Sequence, residues 1–202
     1  MSDPLRMFLV VRRGAVETLE RAAVLGGAAA VACVRSFEID EEWRERPGKV
    51  CLRARNLAQW EAVLEQPHAL AGDPAGESVA ALPPRRRSER GPLLERLQAM
   101  SSDLGQAPAE LGEPVPGAVT YVLNPELEMS SGKVVAQVAH AAVMAAGELP
   151  AWAEAGAPGR LVAPRGFAEL AAREDLAARV VDAGLTEVAP GTVTVLALPP
   201  TG

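Results

Sequence analysis

Three side chains interrupt an otherwise apolar stretch of the C-terminal half. From Lys133 to Ala146 every residue is Val, Ala or Met except Lys133, Gln137 and His140. Their i, i+4, i+7 spacing puts all three on one face of a helix. Lys133 falls in its first turn, behind a capping serine at Ser130 or Ser131. An ammonium beside the open amides of a helix start forms an anion site, suited to a phosphate or to the oxyanion of acyl transfer. An amphipathic helix that merely turns polar side chains to water has the same pattern, and periodicity does not choose between the two.

Further on, Asp182-Ala-Gly-Leu-Thr186 follows a strand-like run, and Pro190-Gly-Thr-Val-Thr194 leads into another. Carboxylates and hydroxyls at strand ends are common binding groups, although Asp-Gly-Thr loops are also ordinary turn chemistry. Thr194 alternates with Val193 and Val195, so a half-buried strand position accounts for it equally well. Met129-Ser-Ser-Gly-Lys133 superficially resembles the end of a phosphate-binding P-loop. Leu127 stands where its first glycine belongs and Val134 where its metal-binding hydroxyl belongs, which excludes nucleotide hydrolysis. Cys33 and Cys51 lack a Cys-x-x-Cys spacing, and His68 and His140 are far apart, so neither a metal nor a cofactor is expected.

The elements that must position these groups occur twice. Strand-like runs Met7–Val11 and Val119–Leu123 each lead into an Ala/Val-rich helix, 18–34 and 131–147. Trp43 and Trp152 follow, ahead of Pro47-Gly-Lys49 and Pro158-Gly-Arg160, then short strands, then Arg-led helices from Arg55 and Arg165. Both halves close on an apolar strand ending Pro-Pro. Six matches in one order point to an internal repeat. Alternating helices and short strands predict an α/β fold. Its unit is a mixed four-stranded sheet flanked by helices, duplicated as a pseudo-dimer of two similar halves. Strands are expected near 118–123, 160–163, 176–181 and 192–198, with helices near 131–147 and 166–174.

The chain divides into residues 1–84, a Pro- and Arg-rich connection over 85–116, and residues 117–202. Leu93, Leu94, Leu97, Met100 and Leu104 predict a short amphipathic helix in the connection. The composition is that of an ordinary globular chain, 49% hydrophobic and 23% charged. No apolar run reaches the roughly 18 residues a bilayer requires, and the first residues lack the form of a signal region, so a cytoplasmic protein with no membrane contact is expected. A net charge of −6 argues against a strongly basic nucleic-acid surface. Among 20 basic residues only Lys49 and Lys133 are lysine. A lysine in so arginine-rich a chain suggests a place that needs a compact amine able to change its protonation.

Gly132-Lys133-Val-Val-Ala-Gln137-Val-Ala-His140, followed by Asp182-Ala-Gly-x-Thr186 and Pro190-Gly-Thr-x-Thr194, resembles the type 2 peptidyl-tRNA hydrolase family over about residues 117–200. The resemblance implies a mixed four-stranded sheet and hydrolysis of the ester joining a peptide to the 3′ end of tRNA, with no metal. It also implies catalytic roles for Lys133, Asp182, Thr186 and Thr194, and substrate contacts from Ser131, Gly132, Gln137 and His140. The sequence departs from the family where Ser131 replaces a second lysine and where Leu185 and Glu187 replace basic and amide residues. Residues 117–202 carry five basic and nine acidic side chains, so attraction to tRNA phosphates is weak. In the N-terminal half Arg21, Leu25 and Ala28 stand at the Lys, Gln and His positions, and no counterpart of the Asp182 loop is expected between Leu70 and Gly76. That half is expected to be inert and to supply a missing subunit's surface. The partner implied is peptidyl-tRNA, and the assembly a monomeric pseudo-dimer with a homodimer as the alternative. The competing function is a non-catalytic member of the fold that binds RNA or protein, using Arg85–Arg87 as a contact surface.

Overall fold

The computed structural model describes residues 3–101, 104–183 and 187–201. The N-terminal half runs β1 (Arg6–Arg12), α1 (Leu19–Ser36), α2 (Glu41–Glu45), β2 (Gly48–Ala54), α3 (Leu57–Leu64), β3 (Ala69–Gly72) and β4 (Ser78–Arg85). The connection adds α4 (Gly91–Arg96) and β5 (Gln98–Ala99). The C-terminal half runs β6 (Val119–Leu123), α5 (Ser131–Glu148), α6 (Pro150–Glu154), β7 (Gly159–Val162), α7 (Phe167–Ala171), β8 (Ala178–Val181) and β9 (Val193–Leu198).

Strand order is β3-β4-β1-β2-β5 in one sheet and β7-β6-β9-β8 in the other. Without β5 the two sheets have the same order. In each, the first strand pairs parallel with the second and antiparallel with the last. The N-terminal sheet therefore has five strands rather than the expected four. The fifth comes from the connection, where Gln98 and Ala99 pair with Arg53 and Leu52. The predicted connecting helix is correspondingly shorter and ends at Arg96, because the open edge of β2 draws the next residues into a ladder. Leu94 and Leu97 cover the outer face of the sheet, while Met100 and Leu104 turn inward.

Both central strands are apolar on both faces because both faces are covered. Met7, Leu9 and Val11 face inward, and Phe8 and Val10 face outward onto Trp60 and Leu94. The inner faces of the two sheets enclose α1 and α5, which share one core with them. The helices meet through small residues: a Cβ on Gly26 would lie 2.7 Å from Val135 Cγ1, and one on Gly27 would lie 3.2 Å from Ala142 Cβ. Each half's first helix also reaches the other half's sheet, α1 against β7 and α5 against β2. The matching tryptophans are held alike, Trp43 donating to Gly48 O and Trp152 to Pro158 O, both at 2.8 Å. Among the described residues no helix is long and apolar enough to cross a membrane.

Candidate active site

The first turn of α5 is fixed by Ser130, whose hydroxyl accepts from Lys133 N at 3.2 Å. This N-cap sets the phase of the helix and turns Lys133 and Gln137 toward Asp182 and Thr194, at the ends of β8 and β9. Asp182 is the first residue beyond β8. Its backbone is clamped on both sides, its N–H donating to Thr192 O at 2.9 Å and its carbonyl accepting from Gly191 N at 2.8 Å. Thr194 reaches the same spot through a bulge. Val180 pairs with Val195 and Val181 with Val193, which leaves Thr194 as the extra residue of β9 and re-aims its side chain toward α5.

These groups form one buried chain of hydrogen bonds. Lys133 Nζ donates to Asp182 Oδ2 at 2.6 Å, and Gln137 Nε2 donates to the same oxygen at 2.5 Å. Thr194 Oγ1 donates to Gln137 Oε1 at 2.9 Å. A carboxylate can only accept, so it dictates which end of the Gln137 amide faces Asp182 and which faces Thr194. The Lys133 and Asp182 side chains are 13% and 6% exposed. Removing one charge from so enclosed a pair would strand the other. His140 lies one turn further along the stripe. Burial first, then the charge of Lys49, push its ring down to about 3, while Asp182 acts in the opposite direction. The imidazole is therefore neutral at ordinary pH.

Ser131 and Gly132, expected to meet substrate, are turned toward the connection instead. Ser131 Oγ accepts from Leu104 N at 3.3 Å, and a Cβ on Gly132 would lie 2.5 Å from Met100 O. Met100 and Leu104 thus cover the first turn of α5. Glu187 covers its tip, accepting from both Ser130 N and Ser130 Oγ at 2.7 Å. Thr186, also expected in the site, lies outside the described residues, as does Leu185. Among the described residues no group of three or more His, Cys, Asp or Glu side chains is placed to hold a metal ion.

A family model described as Peptidyl-tRNA hydrolase PTH2 matches residues 118–157. A curated protein of Staphylothermus marinus named Peptidyl-tRNA hydrolase is 35% identical over 96 residues, 39% of this chain and 78% of that protein. The chain belongs to the PTH2 family. No solved structure matches it. The stretch matched by the PTH2 model contains Lys133, Gln137 and His140. Asp182 and Thr194 lie beyond it and are joined to it by the hydrogen bonds above.

The N-terminal half repeats the frame of this site with other side chains. Thr18 caps α1 as Ser130 caps α5, accepting from Arg21 N at 3.1 Å. Arg21 sits where Lys133 does and pairs with Glu77 at 3.0 Å, but both side chains are exposed. Contrary to expectation, the Asp182 loop has a shortened counterpart. Asp73 N donates to Glu77 O and Gly76 N to Asp73 O, repeating the clamp on Asp182 in a five-residue turn. The Asp73 carboxylate is spent on that turn, accepting from Ala75 N at 2.9 Å. Leu25 and Ala28 replace the amide and the imidazole and line a groove of about 450 Å³.

From the sequence Glu187 reads only as a departure from the family, and nothing local signals its place at the tip of α5. Lys49, unusual in so arginine-rich a chain, lies with its amine buried 4.7 Å from the centroid of the Trp43 ring.

Proposed function

We propose that the C-terminal half hydrolyses the ester between a peptide and the 3′ end of tRNA. What carries this reading is the buried Lys133–Asp182–Gln137–Thr194 chain in a member of the PTH2 family. In the proposed reaction water adds to the ester carbonyl, the bond to the ribose oxygen breaks, and a proton passes to that oxygen as it leaves. Lys133 stabilises the negative charge that develops on the carbonyl oxygen, or holds the adjacent phosphate. Asp182 orients the ammonium, and Gln137 and Thr194 hold Asp182 in turn, so Thr194 acts as a positioning residue. Thr186 is assigned the water or the substrate. Residues 1–84 are read as a degenerate copy of the same unit, 85–116 as its docked connection and 117–202 as the hydrolase. A tRNA substrate places the work in the cytoplasm.

A binding module without catalysis is the second reading. It is favoured by the Glu187 carboxylate at the tip of α5 and by the connection lying over Ser131 and Gly132. The Arg85–Arg87 run supports it little, because Arg86 is committed to Glu42 at 2.5 Å and to Asp3 O at 2.6 Å. Release of N-acetyl amino acid from N-acetyl-aminoacyl-tRNA, by the full chain beside Asp182→Asn, separates the two. Hydrolysis abolished by the substitution supports the enzyme. A folded but inert wild-type chain supports the binding module.

A further inference from the structure

Helix α5 is wrapped by the two sheets except along one side. From Ser131 to Met144 the residues that are not buried are Lys133, Ala136, His140, Val143 and Met144. Their i, i+3, i+7, i+10, i+11 spacing makes them one row along the helix. The row begins at the Lys133–Asp182 pair and then turns apolar, with no charged residue between His140 and Glu148. Met144 is 41% exposed, one of four large apolar side chains so exposed among the described residues and the one that shares a helix with Lys133.

The same row in the N-terminal copy is concave. Leu25, Ala28, Val31 and Ala32 of α1 stand at the positions of Gln137, His140, Val143 and Met144, and all four line the groove of about 450 Å³. Its walls are β3 and the turn between α6 and β7 of the other half. The repeat gives α5 matching neighbours, since both β8 and β2 of the other half pack against it. At the far end of the N-terminal groove stand Arg35 and Glu154, paired at 3.6 Å. At the position of Arg35 the C-terminal copy has Gly147, and nothing lies within 4 Å of a Cβ placed there. The row on α5 is therefore open at the end away from Lys133.

We propose that the peptide of the substrate lies along this row, from its ester carbonyl at Lys133 toward Gly147, with Met144 as a specificity-determining residue that receives an apolar side chain. Met144 lies about 16 Å along the helix from Lys133. An extended peptide crosses that span in about five residues, so Met144 meets the side chain about five residues back from the ester. A flexible thioether suits a substrate whose side chain at that place varies among apolar types. This assignment deepens the hydrolase reading and rests on it for the substrate, whereas the peptide's binding needs no turnover.

The test uses the full-length protein as wild type, Met144→Leu and Met144→Lys, exposed substitutions that leave the core untouched. Two peptidyl-tRNAs are compared that differ only at the fifth and sixth residues from the ester, leucine in one and aspartate in the other. In wild type and Met144→Leu, kcat/KM should favour the leucine substrate by about ten-fold. In Met144→Lys the preference should reverse, with the change lying in KM. Kd values for the same pair with a 3′-amide in place of the ester should follow the same order. Equal kcat/KM for the two substrates in wild type overturns the proposal, as does a preference that Met144→Lys leaves in place or a loss that falls equally on both substrates. Should wild type hydrolyse neither ester while the Kd preference is present and reverses in Met144→Lys, the peptide track stands and the hydrolase reading fails. Equal Kd values for the two amides overturn the track whether or not the esters are hydrolysed.

Discussion

Replacing Lys49 with Met should make the protein more stable, and by an amount that depends on pH. In the folded chain burial lowers the amine from 10.5 to about 7. At about 1.4 kcal/mol per unit this corresponds to about 5 kcal/mol of native-state cost. The contact with the Trp43 ring returns about 1 kcal/mol when the amine is charged, leaving about 4 kcal/mol. Below pH 7 both folded and unfolded chains hold the proton and the full cost is present. Between 7 and 10.5 only the unfolded chain holds it, so wild-type stability climbs with pH through that window and the cost vanishes above it. Methionine keeps the stem against Trp43 and removes the charge. Urea unfolding followed by tryptophan fluorescence at pH 6, 8.5 and 10.5 should show Lys49→Met ahead by about 4 kcal/mol at pH 6, with the lead shrinking toward zero at pH 10.5. A variant less stable than wild type at pH 6, or a lead that does not change with pH, would refute the assignment of a buried, unsatisfied amine.

Other perturbations have equally definite outcomes. His140 is neutral in the fold and lowered to about 3, so unfolding takes up a proton below pH 6.5 and stability falls as pH drops from there toward 3. His140→Gln should flatten that decline, worth about 3 kcal/mol between the two conditions, in urea midpoints compared at pH 6.5 and 4. Gly26→Ala drives a methyl to within 2.7 Å of Val135 and should cost about 1–3 kcal/mol in thermal unfolding. Gly147→Ala, with open space around it on the same helix pair, should lose nothing. Glu187→Gln gives up the negative acceptor at the tip of α5 and should cost about 0.5–1 kcal/mol, a difference that narrows in 0.5 M salt.

Much of this arrangement is legible in the sequence because it rests on local patterns. Ser130, Lys133, Gln137 and His140 declare a capped helix with one polar face, and the paired tryptophans with their Pro-Gly-basic triplets mark matching corners. Other features depend on distant partners. The bulge that turns Thr194 inward follows from the register between β8 and β9, and strand alternation alone gives no sign of it. The leucines of the connection are spaced for a helix, yet the free edge of β2 claims Gln98 and Ala99 and ends that helix early. Asp73 stands in the position of Asp182, but a five-residue turn and an eleven-residue loop share no readable motif. Lys49 stood out by composition. The covered face of β2 on which its amine is buried emerges only once α5 of one half crosses β2 of the other.

In the proposed function Lys133, held by Asp182, catalyses ester hydrolysis. Its most direct test is the rate of N-acetyl amino acid release from N-acetyl-aminoacyl-tRNA by the full-length protein and by Lys133→Ala at equal concentration. Turnover by wild type and a fall of at least about 10²-fold in the variant are expected, the usual consequence of losing a group that stabilises a developing oxyanion. Equal rates in the two proteins, or no release by folded wild type, would contradict it.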